Sequence, residues 1–205
     1  MIGFYNYTVI LTYIGTIFGF TGISFVFGGD LKSALICLMI AGFCDMFDGK
    51  IASTMKTRTK SEKRFGIQID SLSDLICFGA LPASIGYLCG ARSIFALIVS
   101  VAFLLGALIR LAWFNVNEEE RQESEDGCRK AYLGLPVTSS AVIVPFFIGL
   151  GYLLELPMDK IFPVIILAVA ILFITPFKMK KPALVGKLVL ISLGILSLVF
   201  VLTGL

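Results

Sequence analysis

The stretch 44-CDMFDGKIA-52 lies inside one long apolar segment of the chain, and 65-FGIQIDSLSD-74 lies inside the next. Together they place four aspartates where contact with lipid is otherwise expected: Asp45, Asp48, Asp70 and Asp74. A single carboxylate within a spanning helix costs roughly 2.5–3.5 kcal/mol on insertion scales. Four of them in adjacent segments therefore indicate a polar site built into a membrane protein.

The surrounding chain has the composition of a membrane protein. Its 205 residues are 58% hydrophobic, its mean hydropathy is +0.96, and a spanning helix needs about 20 mostly apolar residues. We predict seven spans, at residues 5–27, 31–55, 65–89, 93–115, 133–154, 161–177 and 183–205. The predicted fold is an all-α integral membrane protein. It is a polytopic bundle of six core transmembrane helices plus a seventh C-terminal helix, in one domain over residues 1–205. No cationic leader precedes the first segment, so we expect it to be retained as a helix.

The connecting loops alternate in charge. Basic residues cluster within 56–64, 121–130 and 178–181, whereas the other connections carry only Lys32, Arg92 and Lys160. The positive-inside rule places the three basic loops and the amino terminus in the cytoplasm. We therefore predict a multi-pass protein of the cytoplasmic membrane whose site faces the cytoplasm. The same charges would also attract anionic headgroups or a pyrophosphate-bearing substrate.

Two features of the composition exclude classes of function. The net charge of +3 is too small to indicate nucleic-acid binding, and the chain contains no histidine. A Ser-His-Asp triad and histidine-ligated zinc are therefore excluded. Acid–base chemistry must come from carboxylates, Lys, Tyr or Cys. The acidic run 118–126 is expected to be a solvated loop.

The spacing of the aspartates predicts that they converge. Asp45 and Asp48 are three residues apart and Asp70 and Asp74 are four apart, so each pair lies on one helix face. A short loop makes the two helices antiparallel neighbours. Bare carboxylates would repel one another, whereas a pair of hard divalent cations would neutralise them. Oxygen-only ligation favours Mg²⁺ or Mn²⁺, and such ions commonly bridge phosphate oxygens.

A cation or proton pathway is the alternative for acids within a membrane. An ion-coupled transporter or channel would spread its acids across the membrane depth, whereas these four lie toward one end. Small residues beside the acids, Gly49, Ala52 and Gly66, leave room for a ligand to approach the backbone.

The segment Asp45-x2-Asp48-Gly49-x2-Ala52, followed by Gly66-x3-Asp70-x3-Asp74, resembles the signature of the CDP-alcohol phosphatidyltransferases, D-x2-D-G-x2-A-R-x8-G-x3-D-x3-D. The resemblance implies two metal ions, Mg²⁺ or Mn²⁺, that are held by the first three aspartates and hold the CDP pyrophosphate. It implies that Asp74 is the general base for the acceptor hydroxyl. It also implies a homodimer, and a nucleotide site formed by Asp45, Gly49, Ala52, Gly66 and Asp70.

The chain departs from the signature in two ways. Ser53 stands where the signature has arginine, and the gap before Gly66 is about four residues longer, close to one helical turn. The intervening segment is basic, and Lys50, Lys56 or Arg58 would each supply a cation.

Four further motifs resemble the family members that use L-serine. They are 70-DSLSDLICFGALPA-83, 110-RLAWFNV-116, 133-LGLP-136 and 177-FKMKKP-182. The resemblance implies transfer of the phosphatidyl group from CDP-diacylglycerol to L-serine, giving phosphatidylserine and CMP. Two positions differ, because those members more often have a basic residue at Trp113 and a proline at Thr138. Glycerol 3-phosphate, inositol phosphate or another alcohol remains an alternative acceptor.

Candidate acceptor-binding residues lie at the cytoplasmic ends of the fourth and fifth spans. Arg110 is the only basic residue inside its span, and its planar fork fits a carboxylate or a phosphate equally well. An ion pair with one of the aspartates is the structural alternative. Asn115, Thr138 and Ser139 would add hydrogen bonds, although polar residues at span ends are commonly simple caps. Because acyl chains enter from the bilayer, we also expect a lateral opening between helices.

Overall fold

The computed structural model describes the backbone of residues 3–124, 131–180 and 184–204, and the side chains within 3–120, 134–177 and 192–203. The helices are α1 (Ile10–Gly28), α2 (Leu31–Thr54), α3 (Lys60–Asp74), α4 (Leu81–Cys89), α5 (Ile94–Ser124), α6 (Ser140–Leu153), α7 (Met158–Ile174) and α8 (Leu184–Gly204). A π-helical turn, Leu75–Ala80, joins α3 to α4 without a break. In the described ranges, the chain therefore forms seven helical rods, one for each predicted span.

The all-α membrane fold is confirmed. Three of the described rods are long and apolar enough to cross a membrane by length and composition: Tyr7–Gly28, Lys60–Cys89 and Ile94–Glu120. Large apolar side chains remain exposed around the bundle, among them Phe20 (70%) and Ile94 (77%). Such exposure is expected where the surrounding solvent is lipid, whereas contiguous apolar surface is uncommon on a soluble monomer.

Two helices extend further than predicted at the end of the bundle that carries the basic loops. Helix α3 begins at Lys60, five residues before the predicted span, because Thr59 and Glu62 form a reciprocal capping box. Helix α5 continues to Ser124. The prediction of a loop over 118–126 was therefore wrong for 118–124. Arg64 Nε lies 3.0 Å from Glu119 Oε1, so the acidic end of α5 faces the cationic start of α3.

A short antiparallel ribbon was not predicted. Strand β1 (Ala131–Leu133) pairs with β2 (Lys178–Lys180), with Ala131 opposite Lys180 and Leu133 opposite Lys178. The ribbon ties the α5–α6 connection to the α7–α8 connection, so these two basic loops lie at one end of the bundle. Arg129, Lys130 and Lys181 lie outside the described residues, as do the side chains of Arg121, Lys178, Lys180 and Lys187.

Helix α1 packs closely against α2 and the π-helical turn through a stripe of glycines. A Cβ added at Gly19 would lie 2.7 Å from Cys77 Sγ and 3.2 Å from Cys77 Cα. One added at Gly22 would lie 2.7 Å from Leu81 Cδ2 and 3.0 Å from Cys37 Cβ. The absent side chains therefore allow the helix backbones to approach, as small residues commonly do in membrane bundles.

The π-helical turn has a local cause in the sequence. Pro82 lacks an N–H and cannot donate to the carbonyl of Phe78, four residues earlier. The Leu81 N–H reaches back five residues to the Ile76 carbonyl, which widens the helix. The Phe78 carbonyl instead accepts from Ser140 Oγ at 3.1 Å, a fully buried hydroxyl at the start of α6. The turn directly follows Asp74.

Gly19→Ala is expected to destabilise the protein by about 1–3 kcal/mol, since the new methyl group would crowd both Cys77 Sγ and the Cys77 backbone at Cα. The thermal unfolding midpoint in detergent would measure this. Gly28→Ala, on the same helix with nothing within 4 Å of the added Cβ, is the matched control and should not lower the midpoint. Equal midpoints for the two variants would contradict the close packing.

Candidate active site

The four aspartates converge between α2 and α3. One carboxylate oxygen from each of Asp45, Asp70 and Asp74 lies within 4.8 Å of the other two, and all three side chains are partly buried. Asp48 is 9% exposed, and its carboxylate lies beside that of Asp70. The structure thus brings together all four residues that the spacing predicted.

Helix α1 completes one side of the site with hydroxyl groups. Thr12 Oγ1 donates to Asp48 Oδ2 at 3.4 Å. Thr16 Oγ1 lies 2.8 Å from the Thr12 carbonyl oxygen and 2.7 Å from Ser73 Oγ, and Ser73 Oγ donates to the same carbonyl at 3.3 Å. Ser73 directly precedes Asp74, so this network links α1 to both acidic helices.

The sequence analysis did not identify the hydroxyl network. A signal was present, since Thr12 and Thr16 are four residues apart and therefore share one face of α1. The same helix carries the glycines that bring it against the π-helical turn. The partners of this face, Asp48 and Ser73, are apparent only from the packing of the helices.

The donor set fits a hard divalent cation. Three carboxylate oxygens within 4.8 Å of one another present like charges in a partly buried setting, and a cation would offset their repulsion. The nearby thiols point elsewhere. Cys77 Sγ donates to the Gly15 carbonyl at 3.2 Å, and Cys44 is buried against α1, 3.6 Å from where a Gly15 Cβ would lie. Oxygen ligands favour a cation of the magnesium or manganese type over zinc.

The small residues beside the acids differ in their surroundings. A Cβ added at Gly49 would meet nothing within 4 Å, so the backbone there borders open space. One added at Gly66 would lie 3.7 Å from Arg58 Nη1. Ala52 is partly buried between these positions and the end of α2. There is accordingly room for a ligand on the basic-loop side of the carboxylates.

The candidate acceptor residues fall into separate groups. Asn115 Oδ1 accepts from Ser71 Oγ at 2.7 Å, and Asn115 Nδ2 donates to Gln68 Oε1 at 3.4 Å. Asn115 therefore contacts the helix that carries Asp70 and Asp74. Thr138 and Ser139 form a 3₁₀ turn, Val137–Ser139, ahead of α6, and Ser139 Oγ donates to the Pro136 carbonyl at 2.6 Å.

Arg110 is buried, at 6% exposure, between α5, α7 and the segment that precedes α6. Its Nε donates to the Leu135 carbonyl at 3.2 Å, and its guanidinium lies 5.5 Å from the centre of the Trp113 ring. It also lines a cavity of about 210 Å³ together with Thr175 and Pro176. These contacts place it on the α7 side of α5.

Thr12→Val is expected to weaken Mn²⁺ binding by roughly 10-fold or more, because an outer hydrogen bond that orients a ligating carboxylate commonly contributes 10–100-fold in metal affinity. Electron paramagnetic resonance titration of the purified protein with Mn²⁺ would measure this. Thr12→Ser should retain the wild-type affinity. Thr21→Val, on the same helix beside an outward-facing groove, is the control, and an equal loss there would contradict a specific role for Thr12.

Comparison with known proteins agrees with this geometry. The sequence profile described as CDP-alcohol phosphatidyltransferase matches residues 5–176. A Helicobacter pylori protein named CDP-diacylglycerol–serine O-phosphatidyltransferase is 28% identical over 188 residues, covering 87% of this chain and 75% of that protein. The Saccharomyces cerevisiae protein of the same name is 34% identical over 116 residues, covering 56% of this chain and 40% of its own length.

An archaeal relative carries a related name. The archaetidylserine synthase of Methanothermobacter thermautotrophicus is 31% identical over 158 residues, covering 77% of this chain and 62% of that protein. The profile match spans the acidic site, the π-helical turn and the helices around them. The chain therefore belongs to the CDP-alcohol phosphatidyltransferase family.

Proposed function

We propose that this protein transfers the phosphatidyl group from CDP-diacylglycerol to the hydroxyl of L-serine, giving phosphatidylserine and CMP. The convergence of Asp45, Asp48, Asp70 and Asp74 between two helices carries the proposal. The names of the bacterial and yeast relatives support serine as the acceptor.

Asp45, Asp48 and Asp70 are the proposed ligands of two divalent cations, Mg²⁺ or Mn²⁺. When bound, such cations supply positive charge against the pyrophosphate of the substrate and the developing charge on CMP. Thr12 holds Asp48 in place from α1 through its hydroxyl. The oxygen-only donor set and the mutual distances of the carboxylates support this assignment.

Asp74 is the proposed general base. Its carboxylate shares the cluster with Asp45 and Asp70, and it stands at the junction of α3 with the π-helical turn. As the serine hydroxyl oxygen bonds to the phosphorus that bears diacylglycerol, Asp74 accepts the hydroxyl proton. The bond from that phosphorus to the oxygen shared with CMP breaks, and CMP leaves with the bonding electrons. The step needs no reactant other than CDP-diacylglycerol and serine.

The two ends of the substrate require different surroundings. The nucleotide is proposed to lie over Asp45, Gly49, Ala52, Gly66 and Asp70, where the open space beside Gly49 supports its approach. A groove of about 390 Å³ on the outer face of α1, lined by Tyr13, Thr16, Ile17, Phe20 and Thr21, is proposed to admit the acyl chains. Thr16 contacts Ser73 beside the cluster, which supports continuity between groove and site.

Serine binding is proposed to use Asn115, Thr138, Ser139 and Arg110. The contact of Asn115 with Ser71 supports its place near Asp70 and Asp74. Arg110 requires a change in its present contacts to reach a serine carboxylate, because its Nε is engaged by the Leu135 carbonyl.

We further propose a homodimer in the cytoplasmic membrane, with residues 1–205 forming one domain and the site open to the cytoplasm. The basic loops support this orientation. The contact between Arg64 and Glu119 joins the start of α3 to the end of α5, and the β1–β2 ribbon joins two of the basic loops. Both contacts also support this orientation.

Purified protein with CDP-diacylglycerol and Mn²⁺ or Mg²⁺ is expected to release CMP in the presence of L-serine. Glycerol 3-phosphate and inositol phosphate should give no release above background. Asp74→Asn should lower the rate by roughly 10²–10⁴-fold, the usual contribution of a general base. Chromatographic measurement of CMP and of the lipid product tests both statements.

Asp159→Asn is the matched control, since Asp159 is an exposed residue in the first turn of α7 and the variant should retain the wild-type rate. Release only with a phosphorylated acceptor would contradict serine and retain the chemistry. Full activity of Asp74→Asn would contradict its role as base.

A further inference from the structure

Ser53, which stands where the family signature has arginine, does not take over a cationic role. It lies in the last turn of α2, is exposed, and donates its hydroxyl to the Lys50 carbonyl at 2.6 Å. Any side-chain positive charge on the nucleotide side therefore comes from another residue. Three basic residues flank this point: Lys50, Lys56 and Arg58.

Two of these cations, Lys50 and Lys56, have exposed side chains. Lys50 Nζ lies 5.2 Å from the centre of the Phe47 ring, on a different face of α2 from Asp45 and Asp48. Phe47 in turn packs against Phe43 with 4.8 Å between ring centres. Lys56 lies in the turn after α2 with its side chain exposed.

Arg58 is placed differently. Its guanidinium packs on α3 at Gly66, with Nη1 3.7 Å from where a Cβ would be. Gly66 is four residues before Asp70 on the same helix, hence on the same face and about 6 Å along the axis. A side chain at position 66 would take up this space. Arg58 therefore lies one turn from the carboxylates, on the side where the nucleotide is proposed to bind.

The Arg58 side chain packs at Gly66 with one of its N–H donors unused. Arg58 Nε has no solvent-exposed surface and no hydrogen-bond partner among the described residues. The adjacent carboxylate, Glu62, is within electrostatic range of Arg58, but Glu62 Oε2 already accepts from Thr59 N at 2.8 Å and Thr59 Oγ1 at 2.9 Å. A buried donor without a partner is unfavourable, so its retention points to a ligand that meets it.

The chain position of Arg58 agrees with this reading. In the signature, the arginine lies nine residues before the glycine, and Arg58 lies eight residues before Gly66. The extra residues of this chain consequently fall between Ala52 and Arg58. The turn at residues 55–59, closed by the capping box of Thr59, carries the guanidinium back over α3.

We propose that Arg58 binds a phosphate of the nucleotide substrate and replaces the cation missing at Ser53. The planar fork of a guanidinium fits phosphate oxygens with paired hydrogen bonds, which an ammonium group cannot reproduce. The nature of the ligand, a nucleoside diphosphate, rests on the proposed function. The residue assignment itself rests on the buried Nε and on the contact with Gly66.

Calorimetric titration of the purified protein with CDP in the presence of Mn²⁺ tests the proposal. Arg58→Gln is expected to weaken CDP binding roughly 10- to 100-fold, the range for a lost hydrogen bond to a charged group. Arg58→Lys should recover only part of the affinity. Lys56→Gln, an exposed change in the same turn, should bind CDP as the wild type does.

Mn²⁺ binding and the thermal midpoint of Arg58→Gln should equal those of the wild type, which separates a ligand contact from misfolding. Unchanged CDP affinity in Arg58→Gln, or an equal loss in Lys56→Gln, would overturn the assignment. Because CDP binding needs no acceptor, the assignment stands if Arg58→Gln loses CDP affinity while the wild type releases no CMP with serine. That result would overturn only serine as the acceptor.

Discussion

Mutual repulsion among carboxylates at the end of an apolar bundle is the constraint on which this structure depends. Asp45, Asp70 and Asp74 hold oxygens within 4.8 Å of one another, and Asp48 adjoins Asp70. In a medium of low dielectric, such a cluster stays ionised only with compensating positive charge. A site built this way is suited to cations and to the phosphate groups that cations attract. The acids require this positive charge, the hydroxyl groups of α1 hydrogen-bond beside them, and the basic loops carry positive charge.

The helix that carries Asp70 and Asp74 is fixed at both ends. At its start, the Thr59–Glu62 capping box satisfies the first N–H groups and sets where α3 begins. At its far end, Pro82 leaves the Phe78 carbonyl without its usual donor, and the π-helical turn and Ser140 resolve this. π-helical turns of this kind are frequently found at functional sites. Here the turn directly follows Asp74, so the widened helix begins beside the acidic cluster.

The candidate site lies between the polar end of the bundle and a side of the bundle that faces lipid. Helices α3 and α5 continue past the predicted spans, and Arg64 with Glu119 links them beyond the apolar region. Gly49 borders open space on the side proposed for the nucleotide, whereas the groove along Tyr13 and Phe20 faces outward from α1. The proposed substrate, CDP-diacylglycerol, likewise consists of a polar nucleotide part and two apolar acyl chains. The glycine stripe of α1 keeps these two regions adjacent, because it allows α1 to lie directly on the π-helical turn.

The fold class, the seven helical rods and the four acidic residues could all be predicted from the sequence. These follow from local properties, since apolar length predicts a spanning helix and three- or four-residue spacing places side chains on one face. Helix ends were less predictable. The acidic run 118–124 resembles a loop by composition but is helical. Its Glu119 contacts Arg64, 55 positions away in the chain, which no local pattern reveals.

The neighbours of these residues depend on how the helices pack and could not be predicted from local patterns. Thr12 and Thr16 became part of the site because α1 packs on α2 and α3, a contact that no local pattern encodes. The β1–β2 ribbon depends on pairing between segments that are distant in the chain. Among three basic residues that the sequence left equivalent, the packing of one guanidinium against Gly66 singled out Arg58. Local periodicity sets which face a residue occupies, but the distance between two faces depends on how the whole bundle packs.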